Sequence, residues 1–194
     1  MRLVLASASP RRADLLHAAG FVFEVRPADV DERVWASETP AEYVRRLASG
    51  KSQASHVRNG DVLTLGADTA VVIDGLILGK PSGTEEAANM LRRLAGRTHE
   101  VLTGVSLRRG SRELSRVERT LVTFAPLSNE DVIWYVQSGE GMDKAGAYAI
   151  QGLASRFIHR IDGSYPNVVG LPVAAVAELV AALGAEPVRL ASPG

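Results

Sequence analysis

The stretch from Val62 to Pro81 constrains the fold more than any other. It opens as a short apolar run rich in β-formers, the pattern of a buried strand. Gly66-Ala67 then sets Asp68 at the end of that run, and a second strand is expected over 70–73. Asp74-Gly75 follows, the strongest short-range hairpin signal in the chain. A return strand over 76–78 ends in Gly79-Lys80-Pro81. A carboxylate and an ammonium thus stand at the two ends of one hairpin. That placement suits a polyphosphate and a divalent metal.

Composition narrows the classes of partner. Lys+Arg and Asp+Glu both number 22, so the formal net charge is zero. A neutral chain argues against broad electrostatic binding of nucleic acid or an anionic membrane, so a phosphate site has to come from local clustering. Without cysteine there is no disulfide, zinc–thiolate site or thiol nucleophile. No apolar run approaches a membrane span. The N-terminal Met1-Arg2-Leu3-Val4-Leu5-Ala6-Ser7 begins like a signal peptide, but Pro10-Arg11-Arg12 breaks it early. A cytoplasmic protein is expected. At 194 residues there is room for one sizeable domain or two lobes. With no linker visible, one domain is expected over 1–185, with a tail over 186–194.

Ser9-Pro10 caps and opens a helix that stops at Gly20, after a strand over 3–6. Strand, serine-rich turn and helix N-terminus make a ready anion site. Arg11 and Arg12 lie in the first turn, where cations oppose the helix dipole, so they call for a ligand or a salt bridge. A second strand over 21–25 leads into a polar loop holding Asp29, Asp31 and Glu32. Thr39, with Glu42 three residues on, is a capping box opening a long helix. That helix is apolar at Tyr43, Val44, Leu47, Ala48, Ala54 and Val57, and it carries Lys51. Thr84 caps a helix over 85–95. A strand over 99–107 precedes a further strand pair ending near Phe124. Ser128 caps a helix over 129–137, and 148–150 is a short strand. A strand around Phe157 to Ile161 bends at Asp162-Gly163, and Gly170-Leu171-Pro172 opens the last helix. The sum is a mixed α/β domain.

Each candidate has a bland reading. Arg12 or Lys51 alone is a solvated helix charge, Glu32 a loop carboxylate, and an Asp after a strand an Asx-turn residue. His17, His56, His99 and His159 lack metal-ligand spacing and are read as structural. Ser7 sits in no nucleophile elbow. Neither the P-loop nor the Rossmann glycine pattern occurs.

Several segments together carry a resemblance. Leu5-Ala-Ser-Ala-Ser-Pro-Arg-Arg12, Gly66-Ala-Asp-Thr69, Leu78-Gly-Lys-Pro81, Met90 to His99, Asp143 to Gly152, Ile161 to Tyr165 and Val169 to Pro172 resemble the Maf family, in order and over nearly the whole chain. The resemblance implies a nucleoside triphosphate pyrophosphatase. It also implies a fold like the inosine-triphosphate pyrophosphatases: a mixed, twisted central sheet flanked by helices, with two lobes and a cleft. A homodimer is implied as well. One branch of the family acts on dTTP and UTP; it has a double arginine after Ser-Pro, Gly-Ala-Asp-Thr, and Gln in Ile-Gln-Gly. Arg11, Thr69 and Gln151 match that branch. The branch acting on methylated GTP has tryptophan, Ser-Asp-Gln and Glu at these places.

The roles that follow are expectations. Ser7, Arg12, Lys51 and Lys80 bind phosphates. Glu32, with Asp68, holds a divalent cation, Mg²⁺ or Mn²⁺. Asp68 is the general base towards a water attacking the α-phosphorus. Arg11, Thr69 and Gln151 read the base. A glutamine amide donates to O4 and accepts from N3–H of a uracil or thymine edge, which a glutamate cannot do. The alternatives are a methylated-GTP pyrophosphatase and a non-catalytic nucleotide-binding regulator of septum formation.

Overall fold

The computed structural model describes residues 1–56 and 61–184. Val57 and the expected tail over 186–194 lie outside the described residues.

The elements in order are β1 (Arg2–Leu5), α1 (Pro10–Ala18), β2 (Phe23–Val25), α2 (Pro40–Ala54), β3 (Val62–Ile73), β4 (Leu76–Leu78) and α3 (Thr84–Leu94). Then come β5 (Thr98–Arg109), β6 (Arg112–Phe124), α4 (Asn129–Gln137), β7 (Ile158–Asp162), α5 (Tyr165–Val169) and α6 (Val173–Ala182). The strands form a mixed sheet, ordered β2-β1-β3-β5-β6-β7 with β4 on β3. The chain is a mixed α/β protein, as expected.

Two compact units share the chain. The first holds Met1–Asp68, Thr103–Glu118 and the residues from Gly170 on; the second holds Thr69–Leu102 and Arg119–Val169. Three of the changes from one unit to the other fall inside β3, β5 and β6. No Gly- or Pro-rich linker therefore marks them in the sequence.

In the first unit, β1 pairs in parallel with both β2 and β3. Parallel strands are covered on both faces, which is why Leu3-Val4-Leu5 and Leu63 to Leu65 are buried without alternation. Leu5, Leu16, Leu65, Leu107, Leu171 and Val180 share one apolar core. In the second unit β3–β4 and β6–β7 are antiparallel. Its core gathers Leu91, Leu94, Phe124, Tyr135 and Phe157.

The expected local signals hold at several ends. Ser9 stands at the N-cap position of α1 but its side chain makes no capping bond; Pro10 takes the first helical position, and Gly20 past the helix end has φ 78°. The Thr39–Glu42 capping box makes both reciprocal bonds. Ser128 caps α4 through Asp131. Asp74 and Gly75 take φ 54° and 75°, the signs of a type I′ turn.

Four expectations are corrected. Gly66-Ala67 does not end a strand: β3 runs unbroken for 12 residues, with Asp68 inside it. Gly66 is there because α2 crosses it; a Cβ would stand 2.1 Å from the Ala48 carbonyl oxygen. The strand pair before Phe124 is one 13-residue strand, β6. Thr84 is not a cap: Gly83 is, and Glu86 reaches back to the Ser82 amide and hydroxyl. Residues 148–150 form no strand, because Ala149 N–H donates to the Tyr135 hydroxyl rather than to a neighbouring strand.

Candidate active site

The first unit brings five of the expected residues together. β1 ends at Leu5, and the next turn carries Ser7 into α1. The Ser7 hydroxyl accepts the Ser9 amide at 3.3 Å and Arg12 Nη1 at 2.9 Å. Arg12 also donates from Nε to the Gly170 carbonyl at 2.8 Å and from Nη1 to the Ala67 carbonyl at 2.9 Å. The guanidinium, 8% exposed, thus ties the serine turn to β3 one residue before Asp68. Burial lowers its pKa, opposed by the nearby Asp68 carboxylate. The bland reading of Arg12 as a solvated charge is overturned. Its position against the helix dipole is explained by buried carbonyl acceptors.

Lys51 is overturned in the same way. It sits on α2 at 8% exposure, and its Nζ donates to Asp68 Oδ1 at 2.7 Å and Glu32 Oε1 at 2.6 Å. The close crossing of α2 over Gly66 puts Lys51 within reach. Asp68 is 8% exposed. Burial pushes its carboxyl up from the ordinary aspartate range, while Lys51 and Arg12 pull it back. A carboxylate held above its usual range is a better proton acceptor near neutrality.

Glu32 belongs to a loop with no regular structure, and Arg46 of α2 holds that loop. Arg46 bonds both Glu38 oxygens, at 2.6 and 2.7 Å. It donates to the carbonyls of Asp31 at 3.3 Å and Arg33 at 3.0 Å, on either side of Glu32. Its guanidinium lies 4.0 Å from the Trp35 ring centre. The Tyr43 hydroxyl donates to the Glu32 carbonyl at 3.0 Å. Burial and neighbouring carboxylates push that hydroxyl up to about 12, so it stays a donor. Spacing does not reveal this arrangement, because three of the contacts end on backbone carbonyls.

Asp68 and Glu32 are hard oxygen donors converging on one ammonium. Among the described residues no group of three or more His, Cys, Asp or Glu could hold a metal ion. Two carboxylates nonetheless fit Mg²⁺ or Mn²⁺, which takes one or two from protein and completes its shell with water and substrate phosphate.

Arg11 lies half-buried on α1 in the first unit. The remaining expected residues belong to the second. Thr69 follows Asp68 in β3 and is half-buried; Lys80 is exposed beyond β4; Gln151 is exposed in the loop after α4. Among the described residues no helix is long and apolar enough to cross a membrane.

Comparison with known proteins supplies the family. The sequence profile described as Maf-like protein matches residues 2–183. The chain belongs to the Maf-like protein family. It is 52% identical to the dTTP/UTP pyrophosphatase of Symbiobacterium thermophilum, over 94% of each chain. It is 51% identical to the dTTP/UTP pyrophosphatase of Anaeromyxobacter dehalogenans, also over 94% of each. The dTTP/UTP pyrophosphatase of Syntrophus aciditrophicus is 48% identical, covering 94% of this chain and 90% of that one. Among solved structures, the Staphylococcus aureus Ham1 protein aligns with 66% of this chain and 73% of its own, with TM-score 0.43 and 15% identity.

Proposed function

We propose that the chain hydrolyses dTTP, UTP and related pyrimidine nucleoside triphosphates to the monophosphate and pyrophosphate, a nucleotide-pool sanitising activity. The observation that carries this reading is the buried Asp68, joined through Lys51 to Glu32 at 2.7 and 2.6 Å. The names of the relatives agree with it.

Asp68 takes the proton of a water as that oxygen bonds the α-phosphorus. The bond from the α-phosphorus to the bridging oxygen breaks, and pyrophosphate leaves with the electron pair. Lys51 steers the Asp68 and Glu32 carboxylates to one point. A divalent cation, Mg²⁺ or Mn²⁺, held by Glu32 and Asp68, would supply charge neutralisation on the phosphates. Ser7 and Arg12 offer donors at the mouth of α1, and Lys51 and Lys80 supply cations for the chain of phosphates. Arg11, Thr69 and Gln151 select a uracil or thymine edge over a guanine. The same reading takes the enzyme as a cytoplasmic homodimer with no nucleic-acid partner, and light scattering tests the dimer.

The test is pyrophosphate release from dTTP, UTP and methylated GTP, with and without Mg²⁺. Metal-dependent release from the pyrimidine substrates is expected, falling more than about a hundredfold in Asp68→Asn. Release at near wild-type rate in that variant rules out the base role. No release from any triphosphate favours the binding regulator, and methylated GTP as best substrate favours the other branch.

A further inference from the structure

Gln151 stands on a loop whose shape is set by one carboxylate. That carboxylate is Glu140, half-buried just beyond α4. Its Oε1 accepts the Leu153 amide at 2.9 Å, and its Oε2 accepts the Ala154 amide at 3.4 Å. Oε2 also accepts the Tyr135 hydroxyl at 2.8 Å. Tyr135, almost fully buried in α4, in turn accepts the Ala149 amide at 3.0 Å through its hydroxyl oxygen. The backbone on both sides of Gln151 is therefore tied to a single acid–phenol pair: Ala149 before it, Leu153 and Ala154 after it.

Gly152 shows how closely the loop lies on this pair. A Cβ there would stand 1.9 Å from Glu140 Oε1. The residue after Gln151 has to lack a side chain for the carboxylate to reach the amides beyond it. The Tyr135 ring is wedged edge-on against Phe157, with centroids 5.7 Å apart, so the phenol has little room to swing. Lys144 Nζ donates to the Glu140 carbonyl at 2.9 Å, which pins the backbone of Glu140 itself.

We propose that Glu140 and Tyr135 are positioning residues for base selection: their paired bonds to Ala149, Leu153 and Ala154 hold the Gln151 amide in the orientation that matches a pyrimidine edge. This rests on the reading of Gln151 as the residue that recognises the base. A side-chain amide has a donor and an acceptor end, and a loop that rocks or slips loses the match between those ends and the O4 and N3–H of the base. The residues assigned to the phosphates and the attacking water, Ser7, Arg12, Lys51, Lys80 and Asp68, lie outside that loop. Loosening it costs selectivity before it costs turnover.

The experiment compares kcat/KM for UTP and GTP in the wild-type enzyme and four variants, with the thermal midpoint of each recorded. Gln151→Ala is the control and is expected to lower the UTP-to-GTP ratio. Glu140→Gln keeps the shape but turns one acceptor into a donor facing Leu153 N–H or Tyr135 O–H. The ratio is expected to fall about tenfold, chiefly through KM for UTP. Tyr135→Phe removes the acceptor of the Ala149 amide and is expected to lower the ratio about fivefold. Gly152→Ala keeps both partners but forces them apart, and the ratio should fall in the same direction. A merely structural role would lower both substrates equally and leave the ratio unchanged. If Gln151→Ala lowers the ratio while the other three variants leave it at the wild-type value, the positioning role is overturned and the base-reading role of Gln151 stands. If Gln151→Ala itself leaves the ratio unchanged, both fall.

Discussion

Two loops carry residues assigned to the proposed function, and opposite charges hold them. Around Glu32, in the first unit, the hub is a cation: Arg46 gathers the carbonyls of Asp31 and Arg33 and both oxygens of Glu38. Around Gln151, in the second unit, the hub is an anion: Glu140 gathers amides, with Tyr135 as an extension. A guanidinium has five donors in a rigid fork and can bracket several residues at once. A carboxylate has two oxygens and suits a tight turn. The first loop is exposed, with Trp35 58% accessible, while the Glu38 carboxylate under Arg46 is largely buried. The second is folded over a largely buried phenol. In the proposed reading, the cationic hub sets whether a shared carboxylate is in place, and the anionic hub sets which base is read.

The largest expected effect tests the anchoring of the second loop. His99 lies in β5 of the second unit, with Nε2 2.9 Å from the Tyr148 hydroxyl and the Phe124 ring edge-on to it. Tyr148 directly precedes the clamped Ala149. Burial pushes the His99 imidazole down to about 4 from its ordinary 6.5. The unfolded chain therefore binds a proton that the folded one refuses. Stability is fully present above about pH 6.5 and is lost as pH falls towards 4, by about 3 kcal/mol in all. Hydrogen exchange should show the second unit loosening in that window while the first does not, and His99→Gln should remove the difference. Uniform loosening would break the contrast.

Next in size is Arg46→Met. Losing the hub frees Glu32, and kcat/KM is expected to fall about thirtyfold for every triphosphate alike. The fold should survive, because the lost bonds are confined to an exposed loop. A change in the UTP-to-GTP ratio would break the division of labour between the two hubs. The smallest effect is Trp35→Ala. It removes only the ring under the Arg46 guanidinium and should lower kcat/KM about twofold. An effect as large as that of Arg46→Met would shift the weight of the clamp from hydrogen bonds to stacking.

What could be read from the residues divides along a physical line. Thr39 with Glu42, Asp74-Gly75 and Gly20 are local signals, and local bonds answer them. Gly66 is ambiguous in the sequence because a glycine in an apolar run signals either a break or a close approach, and only the packing of α2 decides. Residues 148–150 alternate like a strand, yet the Ala149 amide bonds a phenol from α4 instead of a neighbouring strand. Ser7, Arg12, Lys51, Glu32 and Asp68 are expected as a set through the family resemblance, since each taken alone has a bland reading. Arg46, Glu140 and the Gly170 carbonyl were not. They bond through the backbone, and a backbone amide or carbonyl has no letter in the sequence.

Two glycines set how closely α2 lies on the sheet. A Cβ at Gly66 would strike the Ala48 carbonyl at 2.1 Å, and one at Gly104 of β5 would strike the Val44 carbonyl at 2.3 Å. Both targets are on α2, one turn apart. The helix rests on bare main chain at these points, and the span from Lys51 to Asp68 is in effect gauged by two missing methyl groups. Any side chain there acts as a shim: it would lift the helix and open the ammonium–carboxylate gap without touching either charge. Positions distant in chemistry from phosphate thereby become as intolerant of change as the aspartate itself.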